Sequence, residues 1–159
     1  MNEWLADFKE TIATAAPRLL RISEAQSEQP RAEEHWSAKQ IIGHLIDSAT
    51  NNHARFVVGQ LKDDLIFPGY DQDAWVAVQA YRDAPWNELI ELCMLFNSQI
   101  ARLMDAIPER ERRKARAHHN LDVLAWKAVP RDEPTTLDYF MADYVGHFKH
   151  HLNQVVRLD

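Results

Sequence analysis

The chain has 159 residues, 46% hydrophobic and 26% charged, with 18 basic against 24 acidic side chains and a formal charge of −6 when histidines are neutral. That balance fits one soluble globular domain over residues 1–159 with a core of its own, and it argues against a dedicated nucleic-acid binder, which needs a concentrated basic surface. One cysteine excludes an intramolecular disulfide, "MNEWLADFKE" has no secretory apolar core, and no apolar run approaches the roughly 20 residues that span a bilayer, so a cytoplasmic protein without a membrane partner is expected.

Only four glycines occur, and no segment alternates apolar and polar residues over a strand length, so the elements are helices. The first is expected over about Glu3–Glu24, with Leu5, Phe8, Ile12, Ala16 and Leu19 at helical spacing and a kink or break at Pro17. "QSEQPRAEE" follows as a polar connection. A second helix opens at "SAKQ", where Ser37 caps and Gln40 reaches back in a capping box. It continues through Ile41, His44, Leu45, Ser48, Asn52 and Phe56 to about Leu61. "LKDDLIFPGYDQDAW" reads as a loop that leads into a short helix near 71–81.

Pro85 suits the first turn of a third long helix, Trp86–Ala106, with Leu89, Leu92, Phe96, Ile100 and Leu103 on one face. Cys93, inside "LCMLF", reads as a buried structural thiol. Residues 107–134 lack helical periodicity and read as a long loop, unusual in a compact domain unless it covers something. The basic run "ERERRKARAHH" within it reads as solvated surface, and so do His118 and His119. Thr135 or Thr136 caps the last helix, which runs to about Val155.

Four long amphipathic helices in one chain of this length point to an all-α four-helix bundle, because each apolar stripe must be buried against the others. On the last helix Leu137, Phe140, Met141, Tyr144, Phe148, Leu152 and Val155 form that stripe. His151 falls within it, His147 at its edge, and His150 points with Asp143 toward the polar side. His44 shares the inner face of the second helix with Ile41, Leu45 and Ser48. Three inward imidazoles are satisfied either by neighbouring hydroxyls and carbonyls, as core histidines are, or by one divalent metal held through a His-x-x-x-His pair and a third ligand. Spacing alone leaves both readings open.

"WSAKQIIGHLIDSATNNHARF" (Trp36–Phe56) together with "DYVGHFKHHLNQ" (Asp143–Gln154) resembles the DinB/YfiT-like superfamily of metal-binding four-helix bundles. "FPGYDQDAWV" (Phe67–Val76) is similar to its YfiT-type branch. The resemblance spans most of the chain and implies an up-up-down-down bundle with His44, His147 and His151 as the metal triad. It also implies a homodimer and one divalent metal ion: nickel or zinc first, then iron or manganese, with copper also suited to three imidazoles. Relatives of that kind include enzymes that join low-molecular-weight thiols to electrophiles. The leading implied function is therefore transfer of a thiol cosubstrate to a small-molecule substrate through a metal-activated thiolate. The alternatives are a metal-dependent hydrolase using metal-activated water, and a non-enzymatic bundle that binds metal or a small ligand.

A hydrolase wants a general base beside its water. Asp47 and Asp143 both fall away from the ligand face on the helical wheel, which favours thiol activation. Around the triad, Gln154 follows His151 by three and is placed to support it by hydrogen bonding, if it is not plain surface. Tyr144 reads as core or as pocket wall, and Tyr70 and Trp75 as packing or as a lid over the bundle mouth. Arg55 either recognises a carboxylate of a peptide-like thiol or forms a surface or interhelical salt bridge. No residue is assigned a catalytic role.

Overall fold

A computed structural model describes residues 2–30 and 35–156. Eight α-helices and one 3-10 turn occur among the described residues: α1 (Glu3–Leu19), α2 (Glu24–Glu28), α3 (Ala38–Val58), α4 (Gln72–Val78), the 3-10 turn Tyr81–Asp83, α5 (Trp86–Ala106), α6 (Glu109–Arg112), α7 (Leu121–Leu124) and α8 (Leu137–Val155). The four long ones, α1, α3, α5 and α8, make the expected bundle around Phe8, Ile42, Leu45, Phe56, Ile100, Phe140 and Phe148, all essentially buried. None of these helices is long and apolar enough to cross a membrane.

Local chemistry sets the helix ends. The capping box at Ser37 is present in full, with Gln40 N–H donating to Ser37 Oγ and Ser37 N–H to Gln40 Oε1. The same pattern at Ser23 and Gln26 starts α2, so the first long helix ends at Leu19 rather than near Glu24. Pro17 lies inside its last turn and does not break it earlier. Gln26–Glu28 of the expected polar connection is therefore helical, with Ser27 buried, while residues 31–34 lie outside the described residues. α3 ends at Val58, three residues before the expected Leu61.

The third helix has the expected limits, but its buried face is turned. Leu89, Cys93, Asn97, Ile100 and Met104 point inward, and Leu92 is 50% exposed. Leu92 and Leu103 fit the same spacing as the buried line, and a stripe read by period alone can rotate by one residue when apolar side chains flank it on both sides. Cys93 is buried, and burial pushes its thiol up to about 12.

Contacts between helices fix their directions. Asn2 donates to Asp138 at 2.9 Å and Phe8 meets Phe148 at 5.4 Å, so α1 and α8 are parallel. Lys9 donates to Asp105 (2.7 Å) and Trp86 Nε1 to the Leu19 carbonyl (3.1 Å), so α5 runs against α1. Lys39 reaches the Arg82 carbonyl (3.2 Å) and His53 meets Phe96 (5.7 Å), so α3 and α5 are parallel. Phe56 meets Phe140 at 5.6 Å while His44 meets His147 at 5.2 Å, so α3 and α8 are antiparallel. The order is thus up-down-down-up, not the up-up-down-down that the family resemblance implied.

Parallel α3 and α5 require residues 59–85 to return the length of the bundle. That crossover carries α4 and is clasped to α3 by Asp47, which accepts from Tyr81 Oη (2.6 Å) and Gln79 Nε2 (2.5 Å). The segment expected as loop over 107–134 is ordered by polar bonds and holds two single-turn helices. Its "ERERRKARAHH" run is not all solvated. Arg116 is 1% exposed, paired with Glu111 and donating to the carbonyls of Gly59, Glu111 and Lys114. His119 is also buried, its Nε2–H donating to the Glu133 carbonyl at 2.7 Å while Nδ1 accepts from the Leu121 N–H, and only His118 is exposed as expected.

Gly43 packs directly on the Tyr81 ring, and a Cβ there would lie 2.2 Å from Tyr81 Cδ2. Gly43→Ala is therefore expected to lower unfolding stability by about 1–3 kcal/mol, read as a shift in the urea midpoint. An unchanged midpoint would show that the crossover is not seated on α3 in this way.

Candidate metal centre

Antiparallel α3 and α8 bring His44, near the start of one, opposite His147 and His151, in the second half of the other. One ring nitrogen from each of the three lies within 4.8 Å of the other two. His44 Nε2 and His147 Nε2 are 3.3 Å apart. Two lone pairs at that distance repel unless a proton or a cation lies between them. Two imidazoles bound tetrahedrally at about 2.0–2.1 Å from zinc are separated by about 3.3–3.4 Å, so the observed spacing needs no rearrangement to accept such an ion.

The second nitrogens support the same orientation. His151 Nδ1 faces Gln154 Oε1 at 3.0 Å, which places its proton on Nδ1 and leaves Nε2 free as a ligand atom. His44 Nδ1 is buried with no hydrogen-bond partner among the described residues, so only the partner of Nε2 can satisfy that ring. Trp36 tilts against His44 with centroids 5.0 Å apart. Burial comes first among the causes that hold all three imidazoles below the ordinary histidine value, His44 at about 4 and His147 at about 3. Repulsion from the other rings adds to it at His44 and His147, while at His151 the Gln154 hydrogen bond works against it and His150 with it. Neutral imidazole is the ligating form, so the donor set fits a divalent metal.

His147 and His151 open onto a pocket of about 300 Å³. α3 supplies Ser48, Asn52 and Arg55 to its wall, and α8 adds Phe140, Asp143 and Tyr144. The crossover contributes Gly69, Tyr70 and Gln72, and the segment around α7 contributes Val123, Leu124, Ala125 and Trp126. Tyr144 is buried and its hydroxyl donates to Asn97 Oδ1 at 2.6 Å. Tyr70 lies tilted against Trp75 with ring centroids 5.0 Å apart, and Trp75 is not part of the pocket wall. Arg55 is buried and makes no salt bridge among the described residues. Its Nη2 donates to the Pro68 carbonyl (2.8 Å) and its Nη1 to Asn52 Oδ1 (3.3 Å). Asp47 lies away from the cluster as expected. His150 stays exposed outside it, tilted against Trp126 at 5.2 Å.

A family model described as the DinB superfamily matches residues 7–155. The chain belongs to the DinB superfamily. It is 20% identical over 157 residues to "Putative metal-dependent hydrolase YfiT" of Bacillus subtilis, covering 99% of this chain and 83% of that protein. To a "Putative metal-dependent hydrolase" of Geobacillus thermodenitrificans it is 22% identical over 158 residues, again covering 99% and 83%. The solved structure of Bacillus subtilis YfiT, described as having an unusual four-helix bundle topology, superposes with a TM-score of 0.75 at 18% identity over 98% of this chain and 86% of the other. At that identity the likeness speaks for the fold.

Two neighbours of the DinB-superfamily histidine cluster were not placed there by sequence. Asp143, expected on the polar side, lines the pocket because the segment before α8 folds back over that side and turns it into an interior wall. Its oxygens accept the Trp126 and Lys127 N–H groups, each at 2.8 Å, while burial raises its pKa. Trp126 sits where Gly146 leaves room: a Cβ there would come within 3.1 Å of its ring. Asp143 was legible as the residue one helical turn before His147. Trp126, in a stretch without periodicity, had no signal.

In the unfolded chain these imidazoles titrate near 6.5, and in the fold they stay neutral to about 4 at His44 and about 3 at His147. Their contribution to the metal-free protein is fully present above 6.5, where both states are neutral. It is lost as pH falls below that value, because the unfolded chain takes up protons first, at up to about 1.4 kcal/mol per pH unit for each histidine. Urea unfolding of chelated protein from pH 7.5 down to 4.5 is expected to show this loss, with a shallower slope for His147→Gln. Equal slopes would contradict the burial of His147 as a neutral ring.

Proposed function

We propose that this chain is a metal-dependent hydrolase in which His44, His147 and His151 hold one divalent cation, zinc or nickel, at one end of the α3–α8 pocket. The observation that carries the reading is the presence of Asp143 in the same pocket wall as His147 and His151. The expectation of thiol transfer came from the family resemblance, with the lack of a carboxylate near the ligands counting slightly for it, and with Asp143 in the pocket wall that second argument no longer separates the two reactions. The names of the Bacillus and Geobacillus relatives support hydrolysis and give no support to thiol transfer.

When bound, the cation supplies Lewis acidity and brings water within reach of ionisation near neutral pH. The remaining work falls to this chain's own groups. Asp143 accepts one N–H at each oxygen, which leaves lone pairs free to take a proton from the attacking water, and its burial-raised pKa makes it a better base than a surface aspartate. Tyr70 is held in the protonated form, its hydroxyl pushed up to about 12 by burial, and offers a hydrogen bond to a substrate oxygen. Gln154 keeps the His151 ring turned with Nε2 toward the cluster.

Untagged protein is expected to carry one divalent ion per chain, and His151→Ala to carry far less by elemental analysis. Against a panel of small esters and amides, chelation should abolish hydrolysis and metal re-addition should restore it. Asp143→Asn should lower kcat by about 10²-fold or more at unchanged metal content, and Gln154→Ala should weaken metal affinity about 10–100-fold. Consumption of a thiol with an electrophile, without ester or amide cleavage, would overturn the hydrolase assignment. Full metal content in His151→Ala would overturn the site.

A further inference from the structure

The pocket contains a buried cation that has no counter-ion among the described residues. Arg55 is 7% exposed, and its two hydrogen bonds, to the Pro68 carbonyl and to Asn52 Oδ1, go to neutral oxygens. No ion pair of Arg55 occurs among the described residues. Asp143, the acidic group in the same wall, is already engaged by the Trp126 and Lys127 N–H groups. A guanidinium held this way is costly, and an apolar side chain of similar volume would fill the same space without the desolvation penalty.

Its placement is built. His44, Ser48, Asn52 and Arg55 follow one another along α3 at intervals of four, four and three residues, a single buried polar line. Asn52 Nδ2 donates to the Ser48 carbonyl at 2.9 Å, which aims Asn52 Oδ1 at the Arg55 fork. The Tyr70 ring lies 5.9 Å from Arg55 Cζ. A helical rise of about 1.5 Å per residue separates the α-carbons of His44 and Arg55 by about 16 Å, so the imidazoles and the guanidinium mark opposite ends of the pocket.

We propose that Arg55 is the specificity-determining anchor of this pocket, binding the carboxylate of an elongated small-molecule substrate whose ester or amide group lies at the imidazole end. The position of the scissile group rests on the hydrolase reading; the carboxylate site at Arg55 does not. The planar fork of arginine matches a carboxylate in geometry as well as charge. Monoesters and monoamides of long-chain dicarboxylic acids have the required form, with an anion at one end and a hydrolysable bond at a distance from it.

The test is an NMR titration of chelated, metal-free protein with hexanoate and with its neutral counterpart hexanamide, following the Arg55 side-chain Nε–H resonance. Wild type is expected to bind hexanoate about tenfold or more tightly than hexanamide, with the Arg55 resonance shifting. Arg55→Met is expected to lose that preference and leave hexanamide binding unchanged. Equal binding of the two probes to wild type, an unmoved Arg55 resonance, or hexanoate affinity retained in Arg55→Met would each overturn the proposal. If Arg55→Met does not fold, Asn52→Ala takes its place, with hexanoate expected to weaken several-fold and unchanged affinity counting against the anchor. Because metal is absent, an intact preference alongside no hydrolysis of any ester or amide would remove only the hydrolase reading. Hydrolysis without the preference would remove only the anchor.

Discussion

Gathering three uncharged imidazoles at one point between α3 and α8 is the constraint around which the rest of the molecule is arranged. His44 is fully buried and His147 and His151 are half-buried, and a buried nitrogen without a partner costs about 1–3 kcal/mol. Gln154 satisfies one of these atoms, His44 Nδ1 has no partner among the described residues, and the nitrogens facing one another cannot all be satisfied by protons. A shared cation resolves that conflict. It would bind a site whose imidazoles are already neutral, so little deprotonation accompanies binding near pH 7.

The direction of the helices explains why a pocket lies beside this point. Because α3 and α5 run parallel, the chain must return the length of the bundle between them, and that return lays Gly69, Tyr70 and Gln72 along the α3–α8 groove. The segment before α8 closes the other side. The two are tied to each other through Asn120, which exchanges hydrogen bonds with the Phe67 backbone, and through the Leu65 N–H to the His118 carbonyl. The long helices supply the polar line on α3 and the histidine pair on α8, while the connections decide which side chains around them face a cavity and which face water.

That division also marks what was legible in the sequence. The four long helices, the Ser37 capping box and the inward direction of His44, His147 and His151 follow from spacing, because the 3.6-residue period and the cap chemistry are local. The single-turn helices are too short to show a period, and the burial of Arg116 and His119 and the position of Trp126 depend on hydrogen bonds to Gly59, Glu133 and Asp143, far off in the chain, which leave no periodic trace. Asp143 shows the difference most clearly. A helical wheel correctly puts it on the polar side of α8, but it cannot report that another segment covers that side and converts it into pocket wall. The order of helix directions was likewise beyond periodicity, since antiparallel and parallel neighbours bury the same stripes.

The pocket that results is polar at both ends, with a neutral nitrogen cluster at one and an uncompensated guanidinium at the other, and Asp143 and Tyr70 lie in the wall between the connections and the helices. Everything proposed about chemistry depends on the imidazole end acting as a ligand set. X-ray absorption at the metal edge of zinc-loaded protein tests this most directly. The account predicts three imidazole nitrogens at about 2.0–2.1 Å, with light oxygen atoms completing the shell and no sulfur. A sulfur shell, or a spectrum fitted by one imidazole or none, would contradict it.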